Sequence, residues 1–374
     1  MEDHHNIVII LGNGFDLDLG LKTSYKDFWE SEFCPKDYPA PLINHLNEQW
    51  GDDLTNVRWY DMENELLNYY LSIKDLTPKH DVISQDELAF IKDVNSAFTY
   101  VTKSKFIEAA TALLNKGYIK ETPGALHKYI IPYYEDLSQS TIWRDKKAFA
   151  LIKEGLTSYL KETIKEGALT GSVAYAVLFS MKSLFESGND LRVFSFNYTP
   201  LPTPYNTSFS KCFYHIHGSC EDNTIVLGTR EFENEDKDYD FIQKCIDPNH
   251  NPPPLEKSLI NSDEVILFGH SLGENDDPYF KDYFMRLLSE QQLDCKLTLF
   301  TKDSSSETNL KRAIQRLTNR QLTSLRNKIT IRFYQTDRLY ENPQLFREFL
   351  CEYINDNRLI EPIISNLKKA GSET

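Results

Sequence analysis

Short apolar runs that end in glycine or in polar residues recur along this chain and predict buried β-strands. The first run is 7–11, an unbroken series of β-branched and aliphatic residues. Such a run suits a strand that is buried on both faces of a parallel sheet. Runs of the same kind return much later in the chain, at 191–196, 212–217, 225–228, 264–268, 296–300 and 328–334.

The long stretch between the first strand and the later ones has helical periods instead. Ser24 and Asp27 have the spacing of a capping box, which predicts a helix that begins there. Apolar residues three or four positions apart predict another helix over 146–164. A further helix is predicted over 309–326, between the last two strands.

Strands that alternate with helices indicate a parallel sheet with its ligand site at the carboxyl edge. We therefore predict an α/β fold: an open, mostly parallel Rossmann-like sheet with a large helical insertion. The predicted nucleotide-binding domain comprises 1–34 and 190–374, and the predicted insertion comprises 35–189. The insertion is a candidate surface for assembly into a homo-oligomer.

Composition narrows the class of protein. The 374 residues carry a formal net charge of −15. This charge disfavours non-specific binding of nucleic acid, because it would repel the phosphates. None of the apolar runs reaches the roughly 18 residues that span a membrane, and the acidic start differs from a signal peptide. Six scattered cysteines without a C-x-x-C pair favour reduced thiols in a cytoplasm. No motif predicts a metal site.

The first strand ends at the glycine loop Gly12-Asn13-Gly14. Two glycines one residue apart allow a tight turn and a close approach of backbone N–H groups to a ligand. The spacing differs from G-x-G-x-x-G, because Phe15 and Asp16 come next. Since a carboxylate is unsuited to a phosphate cradle, we expect Asp16 to meet a ribose hydroxyl, a cationic ring or the amides of the loop. The alternative is a plain turn that binds nothing.

Four predicted strands are followed by polar side chains that can take part in catalysis or ligand binding. These side chains include Asp16, Asn197, His217, His270 and Ser271. The carboxyl ends of neighbouring parallel strands converge on one crevice. We therefore expect these side chains to lie close together in space, although they are distant in sequence.

Several of these residues also have a purely structural interpretation. Asn197 before a proline-rich loop is typical of an Asx turn. His215 and His217 alternate onto one face of their strand, and one of them is expected to be a core histidine. His217 is the better catalytic candidate because it lies at the strand tip, but the choice among His215, His217 and His270 stays open. Asp276, two positions before a proline, suits the cap of a helix.

Five motifs stand in an order that resembles the AbiH family of bacterial phage-defence proteins, which act by abortive infection. They are IILGNGFDLDLGLKTSYKDF, RWYDMEN, SFNYT, HIHGS and FGHSLGENDDPYF, and the resemblance runs from about residue 7 to about residue 285. More remotely, the four strand ends look like the NAD-binding core of sirtuin-like domains. The chain lacks the four-cysteine zinc ribbon of true sirtuins, so the resemblance does not favour protein deacylation.

The sirtuin-like resemblance implies roles for individual residues. Asn197 would hold the ribose on the nicotinamide side of NAD, and His217 would be the general base. The residues implied to bind NAD are Gly12, Asn13, Gly14, Phe15, Asp16, Gly269, His270, Ser271 and Asp276.

Three functional hypotheses follow. The first is an abortive-infection effector that hydrolyses NAD+ at its nicotinamide N-glycosidic bond, without a metal. The second is a sensor that binds NAD or a related nucleotide and alters a partner contact without turnover. The third acts on nucleic acid through Arg312, Arg316 and Arg320, which recur at four-residue steps; a solvated helix face is the alternative.

Overall fold

A computed structural model describes residues 5–50, 61–74, 131–232, 238–290 and 295–373, with backbone alone at 74, 131–140 and 373, and these ranges contain one open parallel sheet. In these ranges the strands are β1 Asn6–Leu11, β2 Asp190–Ser195, β3 Phe213–His215, β4 Glu264–Phe268, β5 Lys296–Thr301 and β6 Thr330–Gln335. Their order is β3-β2-β1-β4-β5-β6, and every neighbouring pair is parallel. This is a doubly wound order, in which the chain reverses direction across the sheet between β1 and β4.

The strand register brings the predicted site residues to one edge. Leu11 at the end of β1 pairs with Ser195 of β2 and with Phe268 of β4. Ser195 in turn pairs with His215 at the end of β3. Four strands therefore end at the same level, and the loops that follow them meet at the carboxyl edge.

Helices precede and follow the strands. Those before β4 are α1 Asn13–Asp18, α2 Tyr25–Glu30, α3 Pro41–Trp50, α4 Met62–Lys74, α5 Ile131–Thr163, α6 Val173–Glu186, α7 Tyr205–Ser208 and α8 Leu255–Ile260. Those after β4 are α9 Asp277–Ser289, α10 Ser304–Leu317, α11 Leu322–Arg326, α12 Thr336–Glu341, α13 Arg347–Tyr353 and α14 Asn357–Glu373. The strand and helix numbers count only the elements within the described residues.

Helices cover both faces of the sheet. Side chains alternate along β1, so Ile7 and Ile9 pack in one core cluster, whereas Val8 and Ile10 pack in the other. The first cluster, which we call the α6 face, also takes apolar residues of α1, α6, α13 and α14. The second, the α9 face, takes those of α8, α9, α10 and α11. Burial on both faces explains why the strands are continuous apolar runs.

The predicted α/β class with an open Rossmann-like sheet is confirmed, and most of the predicted strands lie within a residue or two of the observed ones. The capping box is present, because the N–H of Asp27 donates to Ser24 Oγ (3.1 Å) and the N–H of Ser24 donates to Asp27 Oδ2 (3.2 Å). The predicted strand over 225–228 is wrong, since these residues have no strand pairing. The predicted helix over 309–326 is also wrong in extent: Asn319 and Arg320 have positive φ and separate α10 from α11.

The chain divides into two compact units. One, the sheet unit, comprises 1–28, 157–226 and 248–374; the other, the helical unit, comprises 29–156 and 227–247. Helix α6, which the sequence placed in the insertion, lies in the sheet unit and fills its core. The predicted domain boundaries at 34 and 190 stay a prediction. No helix in the described part of the chain has the length and apolar character needed to cross a membrane.

Candidate functional site at the carboxyl edge of the sheet

The loop after β1 packs directly against the loop after β4. The N–H of Gly12 donates to the carbonyl of Phe268 (2.9 Å), and the N–H of Gly14 donates to that of Gly269 (2.9 Å). A Cβ on Gly12 would lie 2.5 Å from the Cα of His270, and one on Gly14 would lie 2.7 Å from the Cα of Gly269. Close packing of two loops therefore requires the glycines. Two amides of the predicted dinucleotide loop are already bonded to protein carbonyls.

A buried hydrogen-bonded cluster surrounds Asp16 in the first turn of α1. Asn197 Nδ2 donates to Asp16 Oδ1 (2.8 Å) and to the carbonyl of Gly12 (3.0 Å). Thr199 Oγ1 donates to Asp16 Oδ2 (2.5 Å). Burial raises the pKa of Asp16 from 3.8 to about 7, although both hydrogen bonds act to lower it. Asp16 can therefore gain or lose a proton near neutral pH. The amide of Asn197 bonds across the sheet edge rather than forming an Asx turn.

A second cluster joins two histidines through one carboxylate. His217 Nε2 lies 3.4 Å from Asp276 Oδ1, and His270 Nε2 lies 3.4 Å from Asp276 Oδ2. The N–H of Leu272 donates to His270 Nδ1 (3.0 Å). Because an imidazole nitrogen that accepts a hydrogen bond carries no hydrogen, the hydrogen of neutral His270 lies on Nε2 and points toward Asp276. We call these three residues the His–Asp–His cluster.

Asp276 combines a place at a helix end with contacts to imidazole. It is the N-cap residue of α9, and Pro278 lies in the first turn, as the sequence predicts. Its side chain makes no capping hydrogen bond, however, and its oxygens face His217 and His270 instead. The predicted cap position of Asp276 is therefore correct, but its carboxylate contacts the two histidines instead of the amides of the helix.

Aromatic rings enclose the His–Asp–His cluster. The ring of Phe196 lies 5.4 Å from that of His217 and 4.2 Å from that of His270, centroid to centroid. Tyr279 adds a ring 5.9 Å from His217. His217 is 3% exposed and His270 is 6% exposed. With little water near them, the carboxylate and the imidazoles interact more strongly than they would at the surface.

His215 supports the neighbouring loop. Its Nδ1 lies 2.9 Å from the carbonyl oxygen of Asn197, so the ring donates from that nitrogen. Burial lowers the pKa of His215, which favours the neutral ring. Of the two histidines on this strand, His217 faces the Asp276 carboxylate and His215 fixes the backbone after β2.

The remaining predicted ligand residues have separate surroundings. Asn13 Oδ1 accepts a hydrogen bond from Thr23 Oγ1 (2.7 Å). Phe15 is buried and packs edge-on against Phe268, with 5.4 Å between ring centroids. Ser271 is exposed beside the His–Asp–His cluster. Phe15 is therefore a core residue, and Ser271 is the predicted ligand residue that solvent reaches most easily.

The three predicted arginines do not share one helix face. Helix α10 ends at Leu317, so Arg320, with a φ of 66°, lies beyond it. Arg316 forms an ion pair with Asp277, with 2.6 Å between Nη2 and Oδ1. Arg312 Nη1 donates to Asn309 Oδ1 (3.0 Å). The predicted stripe is wrong as a geometric feature, because the backbone turns out of the helix before its last member.

The sequence reasoning missed two parts of this edge. Thr199, the last residue of the SFNYT motif, is one of them. It lies two positions after Asn197, and the side chains of both residues donate to Asp16. The double contact of Asp276 had no local signal, because its partners follow two different strands. Among the described residues, no group of three or more His, Cys, Asp or Glu side chains has the geometry to hold a metal ion.

Fold and site together define an α/β protein of Rossmann type, with buried titratable side chains where β1, β3 and β4 end. The chain belongs to the AbiH family: the sequence model of bacteriophage abortive infection AbiH matches residues 8–297. This confirms the resemblance to that family and supports a role in phage abortive infection. Comparison with curated proteins and with solved structures finds no match. The remote sirtuin-like resemblance stays a prediction.

Proposed function

We propose that this protein is an abortive-infection effector that hydrolyses NAD+ at the bond between nicotinamide and ribose. The observation that carries the proposal is the Asp276 carboxylate between His217 and His270, at the carboxyl edge of a doubly wound sheet. Ligands of such sheets bind where the strands end and the strand order reverses. Loss of NAD+ would deprive an infected cell of an essential cofactor and so stop phage multiplication.

Hydrolysis of this bond requires a site that positions the substrate and one general base. Nicotinamide in NAD+ is a cationic leaving group, so its departure needs no proton. The site must stabilise an oxocarbenium-like ribose and accept a proton from the attacking water. The bond from ribose carbon to the nicotinamide nitrogen breaks, a bond from water oxygen forms, and the proton goes to the base.

His217 is the proposed base. Its Nε2 lies 3.4 Å from Asp276 Oδ1, so a neutral ring that donates from Nε2 has its basic lone pair on Nδ1. A neighbouring carboxylate fixes the tautomer and stabilises the imidazolium that forms when the proton is taken up. His270 holds the other oxygen of Asp276 and thereby orients the carboxylate.

Asn197 has a positioning role in this proposal. Both hydrogens of its amide are used, one by Asp16 and one by the carbonyl of Gly12. It therefore holds Asp16 in place rather than donating to a ribose. Asp16, with a pKa near 7, is a second group that can relay a proton at this edge.

The proposal is tested by nicotinamide release from NAD+ with purified wild type and with His217→Gln and Asp276→Asn. We expect both variants to lose at least about 100-fold in rate, the usual range for removal of a general base or its partner. His45→Gln is a matched control, because His45 forms a comparable pair with Glu65 at 3.3 Å within the helical unit. Wild-type rates in both cluster variants would disprove the proposal.

A sensor without turnover is the second candidate, and the burial of both histidine rings favours it. At 3% and 6% exposure, His217 and His270 contact a substrate only after neighbouring side chains move. A sensor would bind NAD+ or ADP-ribose with measurable affinity and release no nicotinamide. Binding in an equilibrium titration, with no product after addition of infected-cell lysate, would favour the sensor over the hydrolase.

A further inference from the structure

A large cavity lies at the carboxyl ends of β4, β5 and β6, within the sheet unit. Its volume is about 1150 Å³. Its wall is formed by α1, the turn before α6, α12 and α14, together with the residues that end the three strands. Ligand pockets usually measure roughly 300 to 1,000 Å³, so this cavity is large enough for a molecule of nucleotide size.

The cavity shares Gly14 and Gly269 with the predicted NAD-binding loops but does not include the His–Asp–His cluster. None of the three cluster residues lines it. The helices around it pack on the α6 face, whereas Phe196 and Phe280, which contact the histidines, pack on the α9 face. Much of its wall also lies beyond residue 297, where the family match ends.

A carboxylate stands in the wall of the cavity. Asp18 Oδ2 accepts a hydrogen bond from the N–H of Ala174 (2.7 Å), and its Oδ1 accepts one from the hydroxyl of Tyr340 (3.0 Å). A carboxylate has about four acceptor positions, so these donors leave acceptor capacity for a ligand. Burial raises the pKa of Asp18 to about 6, which leaves the side chain mostly ionised at neutral pH.

A buried hydroxyl stands in the same wall. Thr301 at the end of β5 is 7% exposed, and its Oγ1 has no hydrogen-bond partner in the described part of the chain. A buried hydroxyl without a hydrogen-bond partner destabilises the folded protein. A ligand that bonds to Thr301 therefore recovers free energy that the protein alone does not.

The charges of the wall select among ligand classes. Lys302 and Lys369 line the cavity together with Asp337 and Glu341, all four exposed. A simple anion would meet the carboxylates, and a simple cation would meet the lysines. An apolar ligand would bury Asp18 and Thr301 without replacing their hydrogen bonds, which is costly. The matching ligand carries both hydroxyl groups and negative charge.

We propose that this cavity binds a nucleotide, with sugar hydroxyls at Asp18 and Thr301 and phosphate near Lys302 and Lys369. A free amino acid also has both charges, but it would leave most of the volume empty. The proposal does not depend on NAD+ hydrolysis, because it needs no chemistry at His217. It gives the protein a ligand site on the α6 face, where nucleotide levels can influence it.

The test is equilibrium titration of the full chain with ADP, ribose 5-phosphate and inorganic phosphate. Thr301→Val and Lys302→Gln should each weaken ADP binding about tenfold, and Thr301→Val should leave the melting temperature unchanged or higher. Matched controls are Thr298→Val, whose hydroxyl donates to Glu264 Oε1 away from the cavity, and exposed Lys281→Gln. Both controls should bind ADP like wild type.

Each other outcome contradicts the proposal in a specific way. Absence of ADP binding at millimolar concentration would show that the cavity is not a nucleotide site. Inorganic phosphate that binds as tightly as ADP would reduce it to an anion site. ADP binding that survives Thr301→Val and Lys302→Gln but is lost in His270→Gln would place the nucleotide at the His–Asp–His cluster instead.

Discussion

Asp16→Asn should stabilise the sheet unit, and by more at high pH than at low pH. Asp16 is 3% exposed, and burial raises its pKa from 3.8 to about 7. Asparagine imitates the protonated acid, since its oxygen can accept from Asn197 and its amide can donate to Thr199. The variant therefore keeps the hydrogen bonds of the cluster but can never carry the buried charge.

The sign and size follow from proton linkage. Between pH 3.8 and about 7 the folded protein keeps the Asp16 proton, whereas the unfolded chain has lost it. Stability therefore falls as pH rises through this window, by about 1.4 kcal/mol per pH unit, and levels off above pH 7. The whole effect is about 4 kcal/mol. Between pH 4.5 and pH 8, the difference in unfolding free energy between variant and wild type should grow by about 3 kcal/mol.

The assay is urea unfolding followed by far-ultraviolet circular dichroism at several pH values. Tryptophan emission recorded in parallel identifies the transition of the helical unit, because all four tryptophans fall between residues 29 and 143. Asp222→Asn is the control, because it makes the same substitution at an exposed aspartate of the sheet unit. A difference between Asp16→Asn and wild type that does not change with pH would refute the reasoning. A carboxylate kept at this cost to stability is a candidate for function.

Two further substitutions test other parts of the structure. Gly269→Ala should destabilise the sheet unit by more than about 2 kcal/mol, because its φ is +65° and its Cβ would lie 2.4 Å from the carbonyl carbon of Gly14. The control Gly188→Ala has a φ of +95° and no atom within 4 Å of the added Cβ, so it measures the backbone strain alone. Equal effects of the two substitutions on urea unfolding would contradict the packing argument. Asp145→Ala should destabilise the helical unit by about 3 kcal/mol or more, because Asp145 accepts hydrogen bonds from Tyr69, Tyr239 and the N–H of Leu42. Tryptophan emission reports this transition, exposed Glu154→Ala is its control, and an unchanged urea midpoint would count against the assignment.

The sheet could be predicted from the sequence because its strands are buried on both faces. A run such as 7–11 has no polar residue to confuse its assignment, and its glycine ending marks the strand tip. The convergence of Asp16 with Asn197, and of His217 with His270, followed from parallel strands alone. The extent of the helix over 309–326 could not be predicted correctly. Asn319 and Arg320 break it by adopting positive φ, and the spacing of apolar residues does not reveal such a break.

Other features depend on contacts that no local pattern encodes. The apolar run 225–228 is buried in the core without pairing as a strand, so burial was predictable and conformation was not. The amides of Gly12 and Gly14 are used by the loop after β4, and a glycine motif does not reveal this. The cavity needs α14, whose residues near 370 come to the strand ends only through the complete fold.

The paired glycine loops hold the ends of β1 and β4 together through two backbone hydrogen bonds. A ligand that enters between β1 and β4 must first break the hydrogen bonds from Gly12 to Phe268 and from Gly14 to Gly269. At about 1 kcal/mol each, their loss would weaken apparent affinity roughly 30-fold relative to an opened edge. Any event that separates the two loops would therefore raise the affinity for such a ligand by the same factor.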